Sequence, residues 1–203
     1  MIVEVKGVNM SNNPYFIHDF FSKYSEAPLE EVDKAMKLFY PVAIKKGEYF
    51  VRNGEYARKI GLIQSGLFRY YYIDKKGIEY TKGFAAENHF VISYSSMLLN
   101  QPSGFSIQAL EDSHIYCINY TDWLQLLEGH PCWQVIARKT IEKVYVMKET
   151  REREFLLEDA KARYQSFLES YPGLSDRIKQ YHIASYLGIS PVSLSRIRKK
   201  LKK

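Results

Sequence analysis

Residues 178–201 constrain this chain more than any other stretch, because they meet nearly every requirement of two short helices joined by a tight turn. Ala184 is small, so two helices can cross closely there. Gly188 can take the left-handed conformation that ends a helix. Ser190 offers the side-chain oxygen of an N-cap, and Pro191 suits a first turn, where its missing N–H costs nothing. Ile183, Leu187, Ile189, Leu194, Ile197 and Leu201 fall where a small helical core needs apolar groups. Ser193, Arg196, Lys199 and Lys200 are left for the outer side. A single Ala or Gly at such spacing means little, but the joint pattern is that of a helix-turn-helix.

Charge is concentrated in the same region. Residues 159–203 hold ten Lys or Arg against three acids, a net +7 that leaves −1 for the rest of a chain whose total is +6. A basic module joined to a near-neutral one points to a polyanion as partner of the first alone. A solvated basic tail would show the charge but not the packing pattern. A membrane-surface role fits poorly, since the apolar residues of these helices are needed for a core and no Trp/Phe/Leu face remains. No run approaches the about 18 apolar residues of a membrane span, and residues 1–10 do not read as a secretory signal. Cys117 and Cys132 are too few for a disulfide scaffold or an iron–sulfur cluster. A reducing cytoplasm is therefore expected, with both thiols as inert core residues.

Ahead of the basic module the chain changes character twice. From Pro14 to Tyr40 the spacing of Phe16, Phe20, Phe21, Leu29, Val32, Met36 and Phe39 is helical, and Pro28 divides it into two short helices. From Pro41 to about Tyr120, glycines recur at 47, 54, 61, 66, 77 and 83 between short β-branched and aromatic runs. Strands are expected at 60–64, 67–73, 79–84, 106–110 and 115–119, with a hairpin loop at Asp74–Gly77, which together indicate an antiparallel barrel or jelly roll. A long helical pattern opens at Asp122, breaks at 129–131 and runs to about Leu157. Within it Trp133, Ala137, Thr140, Val144 and Met147 follow the four-then-three spacing of a helix–helix seam. A helix of this length outruns a small barrel, so the seam is assigned to pairing with a second copy of the chain. Another helix, 158–171, ends at Pro172-Gly173 and leads into the helix-turn-helix. The fold class is thus α+β, divided into a β-barrel unit with N-terminal helices (1–121), a long dimerisation helix (122–157) and a small helical unit (158–203).

This order of elements resembles the Crp/Fnr family of bacterial transcription regulators, over nearly the whole chain. The stretch from Lys46 to Gly66, with glycines at 47, 54, 61 and 66, is similar to the opening of the family's cyclic-nucleotide-binding-type domain. The resemblance implies a cyclic-nucleotide-binding-like jelly-roll sensor, a homodimer joined along the long helix, paired helix-turn-helix units on a palindromic DNA operator, and RNA polymerase as a further candidate partner.

The pocket departs from the family pattern. Members that bind cyclic nucleotides present a short helix beginning Gly-Glu and, some ten residues later, Arg-Ser or Arg-Thr, which hold the ribose and the cyclic phosphate. Here Val91–Ser93 stand at the first place and Ser103-Gly104 at the second. A buried phosphate would lack its counter-charge, at a cost of several kcal/mol. An effector other than conventionally bound cyclic AMP is therefore expected. Ser93, Tyr94, Ser95, Ser103 and, from the long helix, Lys148 are the candidate pocket residues; the ordinary reading of the serines is as exposed loop residues, and of Lys148 as a solvated lysine.

For DNA, residues 191–201 are the candidate recognition helix in the major groove. Arg196 is the first candidate for a base contact, since Arg can reach guanine O6 and N7 together, and it matches a base-reading Arg of the family. Ser190, Val192 and Ser193 follow, with Val192 suited to a thymine methyl. Lys179, Gln180 and Tyr181, with Arg198, Lys199 and Lys200, suit phosphates. Three other readings stay open: a DNA binder that needs no effector, a protein-interaction module that kept the barrel, and, least favoured, a metal-dependent cupin-type enzyme. The last requires clustered ligands, and His18, His89, His114, His130 and His182 form no His-x-His pair. No cofactor, metal site or catalytic residue is identifiable.

Overall fold

The computed structural model describes residues 15–23 and 27–201; Pro14, residues 1–10 and Lys202–Lys203, used above, lie outside them. Two short helices open the described chain, α1 (Tyr15–Ser22) and α2 (Leu29–Leu38). Pro28 precedes α2 with an extended backbone, and its carbonyl accepts from Glu31 N and Val32 N. The helical spacing read up to Tyr40 stops early: Phe39 is already extended, and a strand begins at Tyr40.

Eight strands follow: β1 (Tyr40–Ile44), β2 (Tyr49–Val51), β3 (Lys59–Ser65), β4 (Phe68–Ile73), β5 (Glu79–Ala85), β6 (Phe90–Val91), β7 (Ser106–Ala109) and β8 (Ser113–Asn119). They form two four-stranded antiparallel sheets, ordered β1-β8-β3-β6 and β2-β7-β4-β5, which face each other as a jelly roll. Pro41 can sit in β1 because that strand lies at a sheet edge, where a missing N–H breaks no inner ladder. Gly66 turns β3 into β4 with φ +119°, and a Cβ there would fall 2.1 Å from Ser113 Oγ, so no other residue fits. The sandwich core holds Phe50, Leu62, Ile63, Ile107, Ile115 and Ile118.

A five-residue helix, α3 (Tyr94–Leu98), follows β6, and α4 (Tyr120–Glu128) follows β8. Helix α5 (Cys132–Leu157) has 26 residues, about 39 Å at the usual rise. Its first turn is part of the barrel: Trp133 is fully buried, donates from Nε1 to Glu31 Oε2 at 2.9 Å and meets Phe21 edge-on. This takes Trp133 out of the seam assigned to pairing, since a side chain sealed in its own core offers nothing to a second copy. From Ile141 to Glu149 every residue of α5 is exposed.

Helix α6 (Ala160–Ser170) starts at Asp159, whose carboxylate accepts from Lys161 N and Ala162 N as an N-cap. A single 3-10 turn (Leu174–Asp176) leads to α7 (Gln180–Leu187) and α8 (Pro191–Leu201). Ile183, Leu187, Ile189, Leu194 and Ile197 join one core as expected, whereas Leu201 remains 38% exposed at the helix end.

That second core does not stop at a unit boundary. Leu67, Phe84 and Ala86 of the barrel belong to it, and the Phe84 ring packs edge-on against Phe167 and Tyr171. Strand β5 is a sheet edge, with free N–H and C=O groups that need covering. Helix α7 supplies the cover: Ser185 Oγ accepts from Thr81 N at 2.9 Å and donates to Glu79 O at 3.2 Å.

Candidate nucleic-acid interface and effector pocket

The turn between α7 and α8 is built by local backbone chemistry. Gly188 has φ +68° and ends α7, its N–H reaching Ser185 O, while Ile189 N reaches Ala184 O. A Cβ at Gly188 would also fall 2.9 Å from the Phe155 ring, so the glycine lets the turn lie against the end of α5. Ser190 Oγ accepts from Ser193 N at 3.1 Å, the N-cap bond expected of it. Gln180 Nε2 donates to Pro191 O at 2.7 Å and so ties the start of α7 to the start of α8.

These bonds sort the predicted DNA residues into two groups. Arg196, Lys199 and Lys200 are exposed on α8 and, among the described residues, enter no hydrogen bond or ion pair. Val192 is 60% exposed one turn earlier, and Tyr181 and Lys179 are exposed at the start of α7. Ser190, Ser193 and Gln180 are committed to the turn itself. Arg198 differs from its basic neighbours: Nε donates to Tyr164 Oη at 2.9 Å, and the guanidinium lies over the Tyr164 ring. It therefore clamps α8 to α6, and the phosphate role expected of it needs another residue.

Just ahead of α7 lies a polar latch that sequence reasoning missed. The Arg177 guanidinium bonds both Glu87 oxygens, at 2.8 and 2.9 Å, and also Glu111. Burial raises the Glu87 pKa, but Arg177 and the Gly66 N–H outweigh it and bring the carboxyl down to about 2. Nearby, buried Arg69 donates to Thr81 Oγ1 at 2.9 Å and pairs with Glu79 at 2.5 Å. Burial, then the charges of Arg69 and Lys179, push His182 down to about 4, so its imidazole is neutral at pH 7.

At the pocket, α3 begins one residue after Ser93, where the family pattern places its short helix. Ser93 and Ser103 come together as the family pattern implied, but both are buried and their hydroxyls lie 2.8 Å apart. Ser103 Oγ further donates to Phe105 O at 2.7 Å. Ser96, also buried, accepts from Ala57 N. Ser95 is exposed but lies within α3 rather than in a loop, and the exposed reading fails for Ser93 and Ser103, whose hydroxyls, like that of Ser96, bond to the protein itself. Tyr94 is 41% exposed and Lys148 is exposed on α5. Residues 90–105 carry no charged side chain, so nothing in this segment offsets a phosphate. Neither the acidic nor the basic side chain that the family pattern uses for a cyclic nucleotide is present in it.

Aromatic groups lie where charge is missing. The Phe105 ring is buried, with Tyr70 and Tyr72 centroids each 6.0 Å away. Lys82 of β5 reaches over it, the ammonium 3.7 Å from the ring centroid. No sequence signal marked Lys82 or Phe105, because their contact joins residues 23 apart across two strands. Among the described residues no helix is long and apolar enough to cross a membrane, and no group of three His, Cys, Asp or Glu is placed to hold a metal.

Comparison with known proteins agrees with this architecture. The sequence profile of the cyclic nucleotide-binding domain matches residues 41–130. No curated protein sequence matches the chain. Among solved structures, FixK2 from Bradyrhizobium japonicum superposes with a TM-score of 0.71 at 13% identity, covering 81% of this chain and 84% of its own. A putative transcriptional regulator of the Crp/Fnr family from Eubacterium rectale gives 0.69 at 15% identity, over 91% and 88%. The c-di-GMP-responsive global regulator CLP of Xanthomonas campestris gives 0.69 at 14%, over 86% and 92%. Residues 41–130 thus match the cyclic nucleotide-binding domain by sequence, and the chain as a whole shares its fold with the superposed structures.

Proposed function

We propose that this chain is a sequence-specific DNA-binding transcription regulator that works as a homodimer, controlled by a small molecule other than conventionally bound cyclic AMP. The observation that carries the proposal is the division of charge in the helix-turn-helix: the apolar side of α8 is sealed by Leu194, while Arg196, Lys199 and Lys200 stand free on the other side. With α8 in the major groove, Arg196 and Val192 face base edges and Lys179, Tyr181, Lys199 and Lys200 face phosphates. The superposed regulators support the same reading by fold.

Pairing along α5 is supported by its exposed apolar residues. Ile141, Val144, Tyr145, Val146 and Met147 are between 41% and 65% exposed, a patch that a lone protomer leaves in water. Ala137 and Thr140, half-buried near the barrel, continue the same seam. Two α8 helices related by a two-fold axis would then enter major grooves about 34 Å apart. RNA polymerase contact would follow from the regulator reading.

The direct experiment measures binding to random and selected duplexes across a salt series, with light scattering for mass. A dimer whose affinity falls steeply with salt and whose footprint spans two half-sites is the expected result. A monomer indifferent to duplex DNA at low salt overturns the proposal.

A further inference from the structure

Positive charge is absent from residues 90–105 but gathers one strand away, where β5 meets α5. Lys82 is half-buried there, its ammonium 3.7 Å from the Phe105 centroid and 5.6 Å from that of Tyr72. Burial, then the charges of Lys148 and Arg151, lower its pKa to about 8. The charged neighbours that bear on this lysine are thus cations. Among the described residues no carboxylate lies within ion-pair distance of Lys82, Lys148 or Arg151.

Arg151 is held in place by the backbone. It donates to Thr81 O at 3.3 Å and to Tyr186 O at 3.0 Å, and its Nε is buried with no hydrogen-bond partner among the described residues. Lys148 stands one turn earlier on α5, exposed. A half-buried ammonium that faces two like charges is unfavourable until an anion offsets them. The face of Phe105 supplies only part of that compensation. Tyr72 adds a ring that is 44% exposed, a flat apolar surface beside the charge.

We propose that the surface between β5 and α5 binds a small aromatic carboxylate, its carboxylate paired with Lys82 and Lys148 and its ring laid against Tyr72. The anion-handling place of this barrel has moved from the head of α3, where Ser93 and Ser103 bond to each other, to β5 and α5. That such a ligand acts as the effector rests on the regulator reading; that it binds does not.

Titration calorimetry on the full-length protein, with benzoate and 4-hydroxybenzoate as probes, tests this. Benzamide serves as the neutral counterpart, and inorganic phosphate and cyclic AMP as other anions. The acids should bind, with benzamide about tenfold weaker, and Lys82→Met should lower acid affinity about tenfold. Lys148→Met, at an exposed position, should lower it less, and neither variant should melt earlier than the parent. Equal binding of benzamide and benzoate, or acid affinity unchanged in both variants, overturns the charge argument. Phosphate or cyclic AMP binding as tightly as the acids overturns the ligand class, and no heat from either acid overturns the site. Duplex binding by the unliganded parent, measured in parallel, separates the two readings: its loss removes the regulator role while the titrations still decide the site.

Discussion

The two faces of the α7–α8 module use the same residue types for opposite ends. On the outer face Arg196, Lys199 and Lys200 have no partner among the described residues. On the inner side Arg198, with Arg177 from the segment before α7 and Arg163 from α6, is spent on the protein: Arg177 on Glu87 and Glu111, Arg198 on Tyr164, and Arg163 on Leu187 O and Glu158 O. A net charge of +7 counts both faces alike. What separates a cation available to an outside polyanion from a structural one is whether the fold has already supplied its acceptor.

The largest effect should come from the boundary between the faces. Leu194 is fully buried beneath α8, and Leu194→Ala should cost about 2–5 kcal/mol of stability, read by thermal or denaturant unfolding. A loss below 1 kcal/mol would mean that α8 is not anchored as described. Next comes the outer face. Arg196→Ala should weaken binding to the selected duplex by about 1–3 kcal/mol while leaving the melting temperature unchanged. Equal weakening on random DNA would reassign Arg196 to a phosphate.

The inner face gives a smaller and opposite pattern. Arg198→Ala should cost about 1 kcal/mol of stability, since it removes the hydrogen bond to Tyr164, and should leave the salt slope of DNA binding in place. Lys199→Ala should instead reduce that slope by about one counterion and leave stability alone. Exchange of these two outcomes would break the comparison. The mildest test is titration of His182. Its folded-state pKa of about 4 lies below its ordinary 6.5, so as pH falls from 6.5 towards 4 the unfolded chain takes up a proton that the folded chain does not. Stability should therefore be greater above pH 6.5, fall through that window and level off below it. His182→Gln should flatten the window, and an unchanged slope would assign it to other groups.

The legible parts of this molecule are those settled over short distances. The turn at Gly188 and the cap at Ser190 depend on residues within five positions of one another, and both were readable from spacing. Strands β3, β4, β5, β7 and β8 announced themselves by β-branched and aromatic runs between glycines. Strand β1 did not, because Pro41 and the apolar spacing before it favour other assignments, and the two-residue β6 is too short to leave a pattern. Trp133 fits a seam by spacing, yet the first turn of α5 lies on the barrel, and only packing reveals that. The pocket was legible in what it lacks, the Gly-Glu and Arg-Ser pair. What it has instead was hidden: Lys82 reaches Phe105 across the sheet, and Arg177 finds acceptors 66 and 90 residues away.

Strand β5 touches both halves of the molecule at neighbouring positions. Lys82 turns towards Phe105, while Thr81 and Phe84 hold α7 and its aromatic neighbours. A sideways displacement of this strand cannot be absorbed locally, because Ser185 bonds both its N–H and its C=O groups and Arg151 grips the same carbonyl row. Helix α7, and through it α8, is thus geared to the barrel along this extended segment, and on the proposed function substitutions there should retune DNA geometry without touching a residue proposed to face DNA.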